Sequence, residues 1–357
     1  FYAAAFDAGW EVDIFGGLRR AVEAADAELA AGRENLRDVL VSLTAEVAIN
    51  YLDLRTAQAR LGVARQNLAI QQETFELINW RYQAGLSNEL ALQQARYNLE
   101  NTRARLPVLR SSMEEAKNRL AVLTGGFPGS VHQLLAEPRP IPAIPPALAV
   151  GVPAEILRRR PDIRRAERVL AAQTARIGVA AADLYPRFRL PGSIGLESLT
   201  SADLFTAASE TWNIVPGLSW NIFDAGAIRR NIEVQSAIQE RLLVAYEAAV
   251  LGALAEVENA LTAYAEEQLR REHLAAAVAA AGEAEALAVV QYESGLTDFT
   301  TVLEAQRSLF SLEDQLAQSD GTVTANLVRL YKALGGGWDS AATETEKIPA
   351  EDYRYEQ

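Results

Sequence analysis

Apolar residues spaced by seven, running through stretches far longer than an ordinary helix, constrain this chain more than any other feature. From Leu40 they recur as Val47, Leu54, Leu61, Leu68 and Phe75, inside a proline-free segment from about Leu18 to Tyr82. A sixty-odd-residue helix reaches roughly 95 Å at ~1.5 Å per residue. That outgrows any compact core, so the pattern predicts a long helix that pairs lengthwise with another. The break Ala84-Gly85-Leu86-Ser87 follows, and Leu92, Leu99, Leu106, Met113 and Leu120 then repeat the seven-residue spacing. The pair is expected to form an antiparallel hairpin, with a kink at Pro107, whose ring removes a donor and clashes with the preceding turn. Gly125-Gly126 ends it.

The same layout returns 210 residues later. Gly85-Leu86-Ser87 becomes Gly295-Leu296-Thr297, and the second heptad series becomes Val302, Leu309, Leu316, Val323 and Leu330. Arg19-Arg20 matches Arg229-Arg230, and Gly125-Gly126 matches Gly335-Gly336. A constant offset over so long a span marks a tandem duplication. Residues 1–124 are read as the first repeat, 125–152 as a connector, 153–337 as the second repeat and 338–357 as a polar, acidic tail. The connector holds Pro138, Pro140, Pro142, Pro145 and Pro146, a composition that favours extended chain. The second repeat begins with a helix expected over Ala154 to Asp183 and a strand from Tyr185 to Leu196, which have no counterpart in the first. A first repeat lacking roughly one helix and one strand is therefore expected, with the chain truncated at its N-terminus.

Three short stretches alternate with period two. Trp10, Val12 and Ile14 lie opposite Glu11 and Asp13, while Leu218, Trp220 and Ile222 lie opposite Ser219 and Asn221. Arg187-Phe188-Arg189-Leu190, running on to Leu196, is the third. Such alternation fits a half-buried sheet in a soluble domain. Alternation alone favours that reading, but the stretches also have the length of membrane-barrel strands, which need ~9 to 11 residues each. Aromatics are 7% of the chain, yet Phe1, Tyr2, Phe6, Trp10 and Phe15 occupy five of the first fifteen positions, the density of an interfacial girdle. If the strands lie in lipid, so few cannot close a barrel, and unpaired edges in hydrocarbon are forbidden; several copies must share one barrel.

Composition excludes other classes. The 357 residues carry no Cys and two His, with a net charge of -13, so disulfides, thiolate metal sites and histidine triads are not expected, nor is a nucleic-acid footprint. The basic run Arg158, Arg159, Arg160, Arg164, Arg165 and Arg168 is offset by Glu155, Asp162 and Glu167, and predicts structural ion pairs. No uninterrupted apolar run is as long as a membrane-spanning helix.

The chain resembles the outer-membrane factor family, the TolC-like exit ducts, especially the branch partnered with resistance-nodulation-division pumps. Trp10-Glu11-Val12-Asp13-Ile14-Phe15-Gly16, Arg159-Arg160-Pro161-Asp162-Ile163-Arg164, Ala175-Arg176-Ile177-Gly178-Val179-Ala180, both Tyr-x-x-Gly-Leu turns and Leu303-Glu304-Ala305-Gln306-Arg307-Ser308-Leu309 carry the likeness. The resemblance implies a mainly α protomer with transmembrane β-strands, four per protomer. It also implies a homotrimer with one shared β-barrel in bacterial outer-membrane lipid and a long periplasmic α-helical barrel. The connector and the C-terminal tail would belong to its equatorial belt. Members normally begin with an export signal, often with a lipid-modified cysteine, and neither is present in this sequence. It implies no cofactor and no metal, a periplasmic adaptor docking at Gly85, Leu86, Ser87, Gly295, Leu296 and Thr297, and a pump reached through that adaptor. Thr300 and Glu304 match the positions that narrow the periplasmic mouth, with threonine replacing the family's leucine. Glu11, Asp13, Ser219 and Asn221 would face the barrel lumen; Trp10, Val12, Leu218, Trp220 and Ile222 would face lipid. The implied function is passive conduction of drugs or other small toxic compounds. A type I protein-secretion duct is one alternative, and a soluble coiled-coil scaffold is another of a different class.

Overall fold

The computed structural model describes residues 1–142 and 159–336. Strand β1 (Tyr2–Val12) leads into helix α1 (Gly17–Gln83), a turn, and α2 (Glu89–Leu123). The second half follows as α3 (Pro161–Ala182), β2 (Arg187–Ser198), a 3-10 turn at Ala207–Ser209, β3 (Glu210–Ile214), β4 (Gly217–Ser219), α4 (Ala227–Glu293) and α5 (Phe299–Ala333). The duplication is carried into the backbone without slippage: α1 and α4 are 67 residues each and α2 and α5 are 35 each, with every boundary displaced by the sequence offset. Helix α2 continues through Pro107, so the expected kink does not break it. Helix α3 starts at Pro161, a residue suited to a first helical position, where a missing N–H costs nothing. The part of the expected helix before residue 159, the connector beyond Pro142 and the tail beyond Gly336 lie outside the described residues.

The described residues divide into two compact units. One comprises Phe1–Asp38 with the described part of Arg158–Gly252; the other comprises the described parts of Val39–Leu157 and Ala253–Gln357. Each draws on both repeats. In the second unit the heptad positions become core: Leu54 and Leu120 pack with Ala116 and Leu135, and Leu61 and Leu106 pack with Ala64, Leu109 and Phe310. A third cluster joins Ile78, Ala95, Ala288, Phe299, Val302 and Leu303, so both hairpins share one core near their turns. Arg60 of α1 makes a two-pronged contact with Asp314 of α5, at 2.8 and 2.9 Å, and donates to Gln318 at 2.8 Å. Helix α4 contributes little. It buries only Ala253, Val257, Tyr264 and Ala288.

In the first unit, α3 lies against α1, where Arg164 faces Glu34 at 3.5 Å, Arg165 donates to Asn35 at 2.7 Å and Arg176 pairs with Glu28. Of the basic run, Arg164 and Arg160 meet carboxylates, the latter Asp162 at 2.8 Å, whereas Arg165 bonds an amide and Arg158 lies outside the described residues, so the expected ion pairing holds for part of the run. Gln173 of α3 donates to the Gln235 carbonyl of α4 at 3.0 Å.

Candidate functional site

β2 is the central strand, antiparallel to β1 on one side and to β3 and β4 on the other. β3 and β4 hold one register against β2, interrupted only at Val215-Pro216. They are one strand broken by a proline. The missing N–H of Pro191 falls at the same level, where Val215 still donates to the Pro191 carbonyl at 3.0 Å.

Residues paired across an antiparallel ladder share a face. The register therefore collects Phe6, Trp10, Val12, Leu190, Ile194, Trp212, Ile214 and Leu218 on one side, and Asp7, Glu11, Arg189, Ser193, Asn213 and Ser219 on the other. On the polar side Arg189 pairs with Glu11 at 3.2 Å. The apolar side has no cover: Phe6 is 84% exposed, Trp212 76% and Ile194 67%. Isolated exposed apolar residues are ordinary, whereas a continuous aromatic sheet face is an interaction surface. Both outer strands also present unpaired backbone edges within the described protomer.

The structure keeps Glu11 and Ser219 on the polar face and Trp10, Val12 and Leu218 on the apolar one, and it moves five expected residues, Asp13, Ile14, Trp220, Asn221 and Ile222, off the strands. Asp13 lies past the end of β1, and its carboxylate accepts from the N–H groups of Leu18 and Arg19 at 3.1 and 2.9 Å. It caps α1, a stronger local claim than continuing the alternation. Trp220, Asn221 and Ile222 lie past the end of β4, where the Trp220 indole donates to the Leu184 carbonyl at 3.1 Å. Ile14 and Phe15 also leave the strand, and Phe15 stacks on Tyr185 at 4.5 Å. Strand β3 lies outside the three alternating stretches of the sequence. Trp212 and Ile214 carry its period-two signal, five residues too few to stand out from the turn before it.

Each hairpin turn is built the same way. Gly85 and Gly295 have φ of +74° and +75°, and the following leucine N–H reaches back to Arg81 or Gln291, at 2.8 and 2.9 Å. This is a Schellman end with glycine in the left-handed position. Such ends commonly tuck the next apolar residue against the helix. Here Leu86 and Leu296 remain 78% and 79% exposed. Ser87 and Thr297 complete the turns; Asn88 caps α2 by accepting from Ala91 N–H at 2.8 Å, whereas Asp298 makes no side-chain cap. Thr300 and Glu304 are both exposed and sit one turn apart on α5, beside a groove shared with Gln94, Tyr97 and Asn98 of α2.

Comparison with known proteins decides what carries these features. The family model described as Outer membrane efflux protein matches residues 2–126 and 152–336. The chain belongs to that family. It is 36% identical over 334 residues to the outer membrane protein OprJ of Pseudomonas aeruginosa, covering 92% of this chain and 69% of OprJ. It is 33% identical over 349 residues to the toluene efflux pump outer membrane protein TtgF of Pseudomonas putida, covering 96% and 71%. Among solved structures, the outer-membrane channel OprN superposes with a TM-score of 0.89 at 37% identity, covering 94% of this chain and 81% of that one. This efflux protein is an outer-membrane channel component with a TolC-like, mainly helical fold and a long α-helical periplasmic extension. It is a passive transport protein and not an enzyme. The 18-residue window of mean hydropathy 1.4 in α4 therefore belongs to a periplasmic helix, and not to a bilayer span. Alanine raises the average along stretches such as Leu274–Val290, which contain Glu283 and Glu285.

Proposed function

We propose that this channel works as a homotrimer, its sheet contributing to one shared barrel with Trp10, Val12, Leu190, Ile194, Trp212, Ile214 and Leu218 toward lipid and Glu11, Arg189, Asn213 and Ser219 toward the lumen. The observation that carries this is the sheet itself, two-faced and open at both edges. Backbone edges in hydrocarbon must pair, and further copies of the same sheet are the partners that a symmetric oligomer supplies. A typical tripartite partnership follows for the family. The hairpin tips, with Leu86 and Leu296 extended, are the surfaces offered to a periplasmic adaptor, through which an inner-membrane resistance-nodulation-division pump delivers cargo. Thr300 and Glu304 stand near those tips, and three copies of Glu304 form an acidic ring that favours cations. The cargo is small toxic compounds, of the kind named for the toluene efflux relative.

Adjacent residues of β3 give the test. Arginine at Trp212 puts a charge on the lipid face, where it costs ~2 to 4 kcal/mol near the midplane, whereas arginine at Asn213 points into water. Trp212→Arg should abolish detergent-stable trimers recovered from outer membranes, and Asn213→Arg should preserve them. Equal recovery of both would overturn the barrel assignment. In planar bilayers Glu304→Gln should lower cation preference while leaving conductance near its original value.

A further inference from the structure

A second groove continues from the Glu304 region along α2 and α5, sharing Asn98 and Arg307 with it. Its walls carry Arg105, Arg307, Asn98, Asn101, Ser311 and Gln71, and none of the residues lining it bears a carboxylate. In a chain with 47 acidic and 34 basic residues, two guanidinium groups sharing a polar groove without an acid are unusual. Neither arginine is neutralised elsewhere among the described residues. Arg105 rests over the Phe310 ring, 5.0 Å from its centroid, and Arg307 is exposed without an ion pair or hydrogen bond. The Phe310 contact fixes the position of Arg105 while leaving its N–H donors available. Gln71 is 6% exposed, and its side-chain oxygen is buried with nothing bonded to it. That oxygen is an acceptor and calls for a donor, so the anion chemistry of the groove rests on the two guanidinium groups.

We propose that this groove is a binding site for small organic oxyanions, carboxylates or sulfonates among the cargo, held by Arg105 and Arg307 and supplemented by the amides of Asn98 and Asn101. The assignment rests on the duct reading, because Arg307 lies one turn from Glu304 on the same stretch of α5. Cargo would meet an acidic rung and then a basic one. Neutral and cationic compounds would pass the second rung unretained, while an anion would gain charge-assisted bonds there.

Calorimetric titration of the full chain in detergent with benzene-1,3,5-tricarboxylate tests the site without relying on conduction. The parent should bind, Arg105→Gln and Arg307→Gln should each weaken binding about tenfold, and Arg307→Lys should retain most of it. Ser311→Glu, which leaves both arginines in place, should abolish binding by supplying a competing carboxylate. Arg307 makes no contact whose loss would unfold the helix, so the thermal melt of Arg307→Gln should match the parent's. No binding by the parent, as when a neighbouring protomer's carboxylate already fills the groove, overturns the proposal. So does parental affinity in the two glutamine variants. Conduction in planar bilayers without tricarboxylate binding would overturn the anion site and spare the duct; binding without conduction would do the reverse.

Discussion

Helices α1 and α4 have the same length, the same offset boundaries and the same glycine turn, yet they use their surfaces differently. At three matched positions α1 is covered and α4 is open: Ala24 is 6% exposed against 52% for Val234, Glu34 6% against 58% for Val244, and Val41 5% against 66% for Leu251. In each pair the α4 residue is apolar and lies in solvent, where α1 has a buried Ala, Glu or Val. For Ala24 and Glu34 the cover belongs to the unit in which α3 lies along α1, with Arg164 and Arg37 on Glu34. The two helices share a periodicity, so the periodicity is not what buries one and exposes the other. Neighbours decide it, and the face of α4 that carries Val234, Val244 and Leu251 is open among the described residues. The two matched helices thus take different partners within the described residues.

The comparison breaks most sharply at Val41 and Leu251. Aspartate at Val41 leaves a charge buried without a partner, a change that costs about 3 to 5 kcal/mol, and should remove the cooperative thermal transition seen by circular dichroism. Aspartate at Leu251 should alter protomer stability by less than about 0.5 kcal/mol, as surface changes do. It should instead lower the trimer fraction in native mass measurements. Identical behaviour of the two variants would mean that α4 is covered within the protomer after all.

The helical part of this fold is legible in the sequence because its signal is long. Six or more heptads, a glycine turn and an unbroken return after 210 residues leave little room for another reading, and the helix boundaries follow the offset without correction. The sheet is less legible because its signal is short and competes with local chemistry. Asp13 satisfies the alternation and also the helix start, and two free N–H groups within 3.1 Å outweigh one more strand position. Pro216 divides the last strand, so its apolar half, Trp212 and Ile214, looks like part of a turn. The groove lined by Arg105 and Arg307 was beyond sequence reasoning, since residues two hundred positions apart become neighbours only through the pairing of α2 with α5. The tips were legible in conformation, while the exposure of Leu86 and Leu296 depends on the absence of a packing partner, which no local pattern encodes.

The tips sharpen the comparison on a smaller scale. Asn88 satisfies an orphan N–H at the start of α2, and its counterpart Asp298 makes no such bond at the start of α5. Asn88→Ala should therefore cost about 1 kcal/mol of local stability, read as faster amide exchange at Ala91. Asp298→Ala should leave exchange at Thr301 nearly unchanged. The second tip is then held by its core, where Phe299 and Tyr292 meet at 5.3 Å, and a Phe299→Ala change should loosen it where the cap variant does not.

The smallest expected effect concerns the first turns of the two long helices, where the repeats solve one problem with aspartates one register position apart. At α4 the N–H groups of Ile228 and Gly226, at 2.7 and 2.9 Å, hold the Asp224 carboxyl below the ordinary aspartate range. At α1 partial desolvation opposes the shift, and the Arg19 and Leu18 N–H groups with the Arg19 guanidinium outweigh it, so Asp13 is lowered as well. A lowered folded-state pKa means that each carboxylate adds stability fully present above the unfolded value of about 3.9 and lost as pH falls through the folded value. Amide protection at Leu18, Arg19 and Ile228 should therefore hold from neutral pH down to about pH 4 and decline below it. Asparagine at either aspartate should flatten that decline at its own helix only. Salt separates the two caps: Asp13 has a guanidinium partner at 3.2 Å in addition to backbone donors, so ionic screening should weaken protection at α1 more than at α4. Equal salt sensitivity would place the stabilisation of both helix starts in the backbone bonds alone, and the pairing with Arg19 would then be a surface contact without consequence.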